Sequence, residues 1–155
     1  MSLYQLIYQS QSLVPFEMPE LTNLLHRFRT SNQRLRITGF LLYTPDGRFL
    51  QVLEGDREAV RNLYYRRIVT DPHHHLCRVI GEGPCAHRSF ADWSMGFRTA
   101  QAHDLRTLLG HVPANNLVLL VPRPHTVPET LKLLLKFVAN SDPTPELDCS
   151  RMTGR

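Results

Sequence analysis

Apolar residues along this chain switch repeatedly between a period near two and a period near three and a half. Leu3 to Gln9, LYQLIYQ, is short, aromatic and β-branched, and predicts a strand buried on part of both faces. A polar loop with prolines, SQSLVPFEMPE, follows. From Glu20 the apolar positions Leu21, Leu24, Leu25 and Phe28 fall at i, i+3, i+4 and i+7, which predicts a helix with one buried stripe. It is expected to end near Thr30 to Asn32, where residues that favour caps and turns take over.

Arg36 to Thr44 and Arg48 to Glu54 read as two strands joined by PDG, in which Asp46 and Gly47 supply the turn chemistry of an antiparallel hairpin. Asp56 is placed to cap a second helix with the stripe Val60, Leu63, Tyr64 and Ile68, which stops before the proline of DPHHH. His75 to Gly83 and Ser94 to Thr99 read as two more strands. The order through residue 99, β-α-β-β-α-β-β, predicts an α+β, ferredoxin-like fold: a mixed five-stranded sheet with two helices on one face.

Past Ala100 the pattern changes. AHDLRTLLGH predicts a short helix, VPANNLVLLVPRPH is punctuated by prolines, and PETLKLLLKFVAN predicts an amphipathic helix with the stripe Leu131, Leu134, Leu135 and Val138. Thr126 and Glu129 have the spacing of a capping box. The expected division is a compact unit over residues 1–99, a helical extension over 100–141 packed on the bare face of the sheet, and a flexible tail over 142–155.

Composition narrows the class without naming a function. The 155 residues, 42% of them hydrophobic, suit one core. No apolar run approaches the roughly 20 residues of a membrane helix, and the start lacks secretory-signal features, so the chain reads as a cytoplasmic protein that meets no membrane. Cys77, Cys85 and Cys149 include no Cys-x-x-Cys pair, so they read as reduced thiols. The net charge of +4 is spread over solvated helix faces, with no run of five or six like charges, and nucleic acid is not an expected partner.

Catalytic templates are missing. There is no Gly-x-Ser-x-Gly elbow, no phosphate-cradling glycine loop with lysine and no His-Glu-x-x-His. His73, His74 and His75 form a histidine run without Cys or carboxylate partners, which is a weak basis for a metal site. A different set stands out: Tyr8, Asn32, Gln51, Trp93 and Met95. Taken singly, each is explained as a core aromatic, a helix-end amide, a filler or a satisfied buried polar group. Together they form a phenol and two amides inside an apolar frame, which suits a planar heterocycle. Gln51 sits in the middle of the strand FLQVLEG, where an uncharged amide needs a partner.

These segments carry a family resemblance. LYQLIYQS with Tyr8, Ser31-Asn32, ITGFLLY, FLQVLEG with Gln51, RIVTD from Arg67, His74-His75 and FADWSMGF around Trp93 and Met95 resemble the BLUF family of blue-light sensors using flavin. The resemblance covers residues 2 to about 98 and extends to the short, stand-alone members, with residues 1–99 as the sensor domain and no fused output enzyme.

It implies a noncovalent flavin, FAD or FMN, held between the two helices, with Tyr8, Ser31, Asn32, Gln51, Leu53, Arg67, Asp71, His74, Trp93 and Met95 around it. In that picture Asn32 bonds the ring's amide edge and Gln51 bridges Tyr8 to the flavin. Light drives an electron and a proton from Tyr8, and recombination leaves the glutamine's bonds rearranged. The resemblance further implies a switch and not an enzyme, an unidentified downstream signalling protein, and self-association. The helix VRNLYYRRIVTD is one residue longer than the commonest form, which makes Arg66 a rival of Arg67; RIVTD favours Arg67. Whether Trp93 or Met95 stands nearer the flavin is open, as is FMN against FAD. The rival from another class is a ferredoxin-like enzyme, either flavin-dependent or metal-assisted through the histidines.

Overall fold

The computed structural model describes residues 3–14, 16–71, 74–109 and 127–140. In chain order they form β1 (Leu3–Ser12), α1 (Met18–Leu35), β2 (Thr38–Tyr43), β3 (Arg48–Asp56), α2 (Arg57–Asn62) with a π-helical continuation (Leu63–Ile68), β4 (His74–Pro84), β5 (Gly96–Thr99), α3 (Ala102–Leu109) and α4 (Val127–Asn140). The five strands make one sheet in the order β4-β1-β3-β2-β5. β3 fills the gap between β1 and β2 and is antiparallel to both, β4 is antiparallel to β1, and β5 is parallel to β2. This is the ferredoxin-like mixed sheet that the pattern predicts.

Side-chain alternation sorts the core into two layers. Tyr4, Leu6 and Tyr8 of β1, Leu41 of β2 and Leu53 of β3 face α1 and α2, where they meet Leu21, Leu25, Leu63 and Ile68. Ile7, Phe40, Leu42, Leu50 and Val52 face the other way, onto Leu105 and Leu108 of α3 and Leu134 of α4. The extension therefore covers the second face. On α4 the buried side is Thr130, Leu131, Leu134, Phe137 and Val138, whereas Leu135 is 41% exposed. The stripe is rotated from the expected one toward Thr130 and Phe137. Thr126 and residues 142–155 lie outside the described residues.

The hairpin turn forms as its sequence dictates. Gly47 takes φ 92°, and its N–H donates to the Thr44 carbonyl at 2.9 Å. α1 is longer than expected at both ends. Glu20 Oε1 accepts from the Glu17 N–H at 3.2 Å, which starts the helix two residues early, at Met18, and Ser31 and Asn32 lie inside it. Termination falls on Arg36 in the left-handed region (φ 56°), followed by Ile37 donating its N–H back to the Asn32 carbonyl at 2.9 Å. Cap-favouring residue types did not end the helix, because the side chain of Asn32 is engaged elsewhere.

Candidate functional site

Tyr8 and Gln51 are directly opposite one another on β1 and β3, and both are fully buried on the α1/α2 face. The Tyr8 hydroxyl donates to Gln51 Oε1. The other end of the amide, Nε2, donates to Met95 Sδ at 3.3 Å. Gln51 thus joins a strong donor on one strand to a weak sulfur acceptor just before another.

Asn32, also fully buried, projects from the last turn of α1 and donates Nδ2 to the Ser94 carbonyl at 2.7 Å. Its Oδ1 is buried with no hydrogen-bond partner among the described residues. A buried acceptor left in this state costs about 1–3 kcal/mol unless a donor arrives. Arg29, one turn earlier, donates Nε to the Met95 carbonyl at 3.0 Å. Two side chains of α1 therefore hold the 94–95 backbone beside Gln51.

An open cleft of about 180 Å³ runs between α1 and the π-helical turn. Leu24, Phe28, Leu63 and Ile68 give it apolar walls, and Arg27, Ser31, Arg67 and Asp71 give it polar ones. Arg67 Nη1 donates to Ser31 Oγ at 3.2 Å, which ties the two sides together. Arg66 and Arg67 are both exposed, and of the two Arg67 lines the cleft. The helix closes in a π turn, in which the Val69 N–H reaches back five residues to the Tyr64 carbonyl at 3.0 Å.

Burial is the main cause of the site's altered acidities. It raises the Tyr8 phenol well above its ordinary value, with Cys77, Tyr64 and Asp71 adding to the rise. Tyr64, whose ring centroid is 4.8 Å from that of Tyr8, is pushed up to about 12, again by burial first. Burial likewise raises the Cys77 thiol. At neutral pH Tyr8 is a neutral hydrogen-bond donor, as its bond to Gln51 requires.

The structure thus gathers Tyr8, Gln51, Asn32, Leu53 and Met95 on one face, with Ser31, Arg67 and Asp71 on the cleft wall. Trp93 is not among them. Its ring lies on the opposite layer, 5.7 Å from Phe40 and 6.5 Å from Phe90 by centroid, with the Arg98 guanidinium 5.4 Å above it. The side chains of His74 and His75, and the whole of His73, lie outside the described residues. Arg29, Tyr64 and the Ser94 carbonyl were not anticipated. Arg29 precedes Asn32 by three positions, a helical spacing that puts both on one face, and this was the available signal.

Comparison with known proteins decides the family. The model of BLUF, sensors of blue light using FAD, matches residues 3–96. The chain belongs to the BLUF family. Its BLUF segment is 35% identical over 96 residues to photoactivated adenylate cyclase subunit beta of Euglena gracilis, covering 61% of this chain and 11% of that protein. The chain therefore spans only a small part of the curated relatives it matches. Among solved structures, the BLUF protein BlrB in its dark state superposes with a TM-score of 0.64 at 30% identity, covering 89% of this chain and 96% of that one. BlsA in its photo-activated state gives 0.69 at 27% identity, covering 92% and 98%. BlrP1 of Klebsiella pneumoniae with FMN and cyclic diGMP gives 0.59 at 30%, covering 89% of this chain and 35% of that one. BLUF domains are flavin-based sensors of blue light, and the mixed sheet with flanking helices is their fold.

Proposed function

We propose that this BLUF chain works as a reversible photoswitch without catalytic turnover, in which the Tyr8–Gln51 pair stores the signal and the 94–95 backbone passes it on. The observation that carries this reading is the direct bond from the Tyr8 hydroxyl to a Gln51 amide whose other end is held, among the described residues, by a thioether. The residues fit a flavin. The cleft has apolar walls for a ring system, and Asn32 Oδ1, which lies behind its lining and has no partner among the described residues, is a buried acceptor suited to an imide N–H at the ring's edge. Ser31, Arg67 and Asp71 would meet its polar side. When bound, the flavin, FAD or FMN, supplies light absorption and one-electron chemistry.

What the protein contributes is a phenol that can give up an electron and a proton, and an amide that can reverse its polarity. Turning the Gln51 amide over places Nε2 toward Tyr8 and Oε1 away from it. The bond given up, to Met95 sulfur, is a weak one, so the two arrangements are close in energy and a small bias selects between them. Asparagine is one methylene too short to span from β3 to Tyr8, and glutamate would bury a charge. The switch signals when Met95, Ser94 and the strand that follows respond, and the downstream protein is a partner not named by this chain. A cytoplasmic location and self-association complete the reading.

The experiment is spectroscopic. Purified protein is expected to be yellow and to shift its absorption reversibly to the red under blue light with no substrate present. Tyr8→Phe should keep the colour and lose the shift, and Gln51→Leu should bind flavin without rearrangement. A Tyr8→Phe protein that cycles normally would make another residue the donor and refute the assignment.

A further inference from the structure

Glu54 takes no part in the site above, yet it is a fully buried carboxylate. It follows Gln51 by three positions on β3, so the pleat directs the two side chains through opposite faces of the sheet. Its oxygens accept three hydrogen bonds among the described residues. Gln5 Nε2 (2.9 Å) and the Ser89 N–H (2.7 Å) donate to Oε2, and the Phe90 N–H (2.8 Å) donates to Oε1. Two successive backbone N–H groups on one carboxylate make a charge-assisted grip on a turn. Arg88 reinforces it: Nη1 donates to Thr38 Oγ1 at 2.8 Å and to the Glu54 carbonyl at 3.1 Å, and Nη2 donates to the Arg36 carbonyl at 2.9 Å.

β3 therefore holds the segment 89–95 at two points. On one face Gln51 reaches Met95, and on the other Glu54 reaches Ser89 and Phe90. Between these attachments lie Phe90 and Trp93, which pack in the same cluster as Leu105, Leu108 and Leu134 of the extension. The attachments are unequal. An amide on a thioether is a weak bond, whereas two backbone donors on a buried carboxylate are strong. When Gln51 changes its bond, the Met95 side chain is freed while Arg29, Asn32 and the Gly39 N–H still hold the 93–95 backbone, and the Glu54 end stays fixed.

We propose that Glu54 is a positioning residue for output: the fixed anchor from which the side chains of segment 89–95 turn when Gln51 changes its bond to Met95, so that Phe90 and Trp93 shift against α3 and α4. The turning rests on the photoswitch reading, whereas the grip stands on its own. Trp93 is the chain's single tryptophan, so its emission reports this segment alone. Glu54→Gln keeps the shape but puts an NH2 group where an acceptor is needed.

In the full-length flavin-loaded protein, acrylamide quenching of Trp93 in the dark is expected to rise severalfold in Glu54→Gln over the parent. Flavin content and the light-induced absorbance shift should persist, while the light-induced change in Trp93 emission disappears. Gln5→Ala, which removes the one donor outside the turn, should behave as the parent does. If Glu54→Gln does not fold, Ser89→Pro removes a turn donor and leaves the carboxylate in place, with the same expected result. Unchanged dark quenching, or a light-induced emission change equal to the parent's, overturns the proposal. A parent with no light response refutes the photoswitch and the turning together, and the dark quenching comparison then still decides the grip.

Discussion

Tyr8 and Gln51 show how far single residues were legible. An amide inside an apolar strand demands a partner, and strand pairing supplies a phenol directly opposite, so the pair was readable from the sequence. The place of Trp93 was not, because an aromatic in a turn can pack on either layer and only the paired backbone decides. Burial of the phenols has a consequence for stability against pH. Tyr8 and Tyr64 hold their protons in the fold well above the ordinary value near 10, with Tyr64 at about 12. The unfolded chain releases these protons first, so their contribution is whole below about pH 10 and is lost as pH rises through the folded values. Denaturant midpoints are expected to fall between about pH 10 and 12, and to fall less steeply in Tyr64→Phe.

Elements were legible in kind and order, less so in extent. α1 runs through Ser31 and Asn32 because Asn32 spends its side chain on the Ser94 carbonyl and the helix is stopped by the left-handed Arg36. The π turn left no distinct mark, because the stripe Val60, Leu63, Tyr64 and Ile68 keeps helical spacing. β5 is shorter than its apolar run suggested, starting at Gly96, because residues 93–95 are bound by side chains of α1 and β3 and by the Gly39 N–H, not by a ladder. Gly96 is close to Trp93: a methyl group there would stand 1.7 Å from the indole. Gly96→Ala is therefore expected to displace the ring at a cost of about 1–3 kcal/mol, read as a red-shifted Trp93 emission with the far-ultraviolet dichroism preserved. An unshifted emission would place Trp93 elsewhere.

For the whole molecule, the order of elements and the two faces were legible from hydrophobic period and turn chemistry, since β1, β2 and β3 present alternate residues to two helix layers, whereas the strand order is set by backbone pairing. The rotated stripe of α4 was not legible, because Leu134 and Leu135 are equally apolar and only docking distinguishes them. Leu134, fully buried, should cost about 2–5 kcal/mol when cut to alanine, and Leu135→Ala should cost much less. Equal costs in a denaturation series would contradict the docking of α4 described above. The central claim is that a buried phenol and amide form a light-set switch read out through the opposite face of the sheet. Its most direct test is a dark-minus-lit absorbance difference on the purified protein, followed through recovery. The account predicts a bound flavin whose main band moves to longer wavelength and returns in the dark, with both steps abolished by Gln51→Leu. A flavin-loaded protein with a flat difference spectrum, or the same shift in Gln51→Leu, would contradict it.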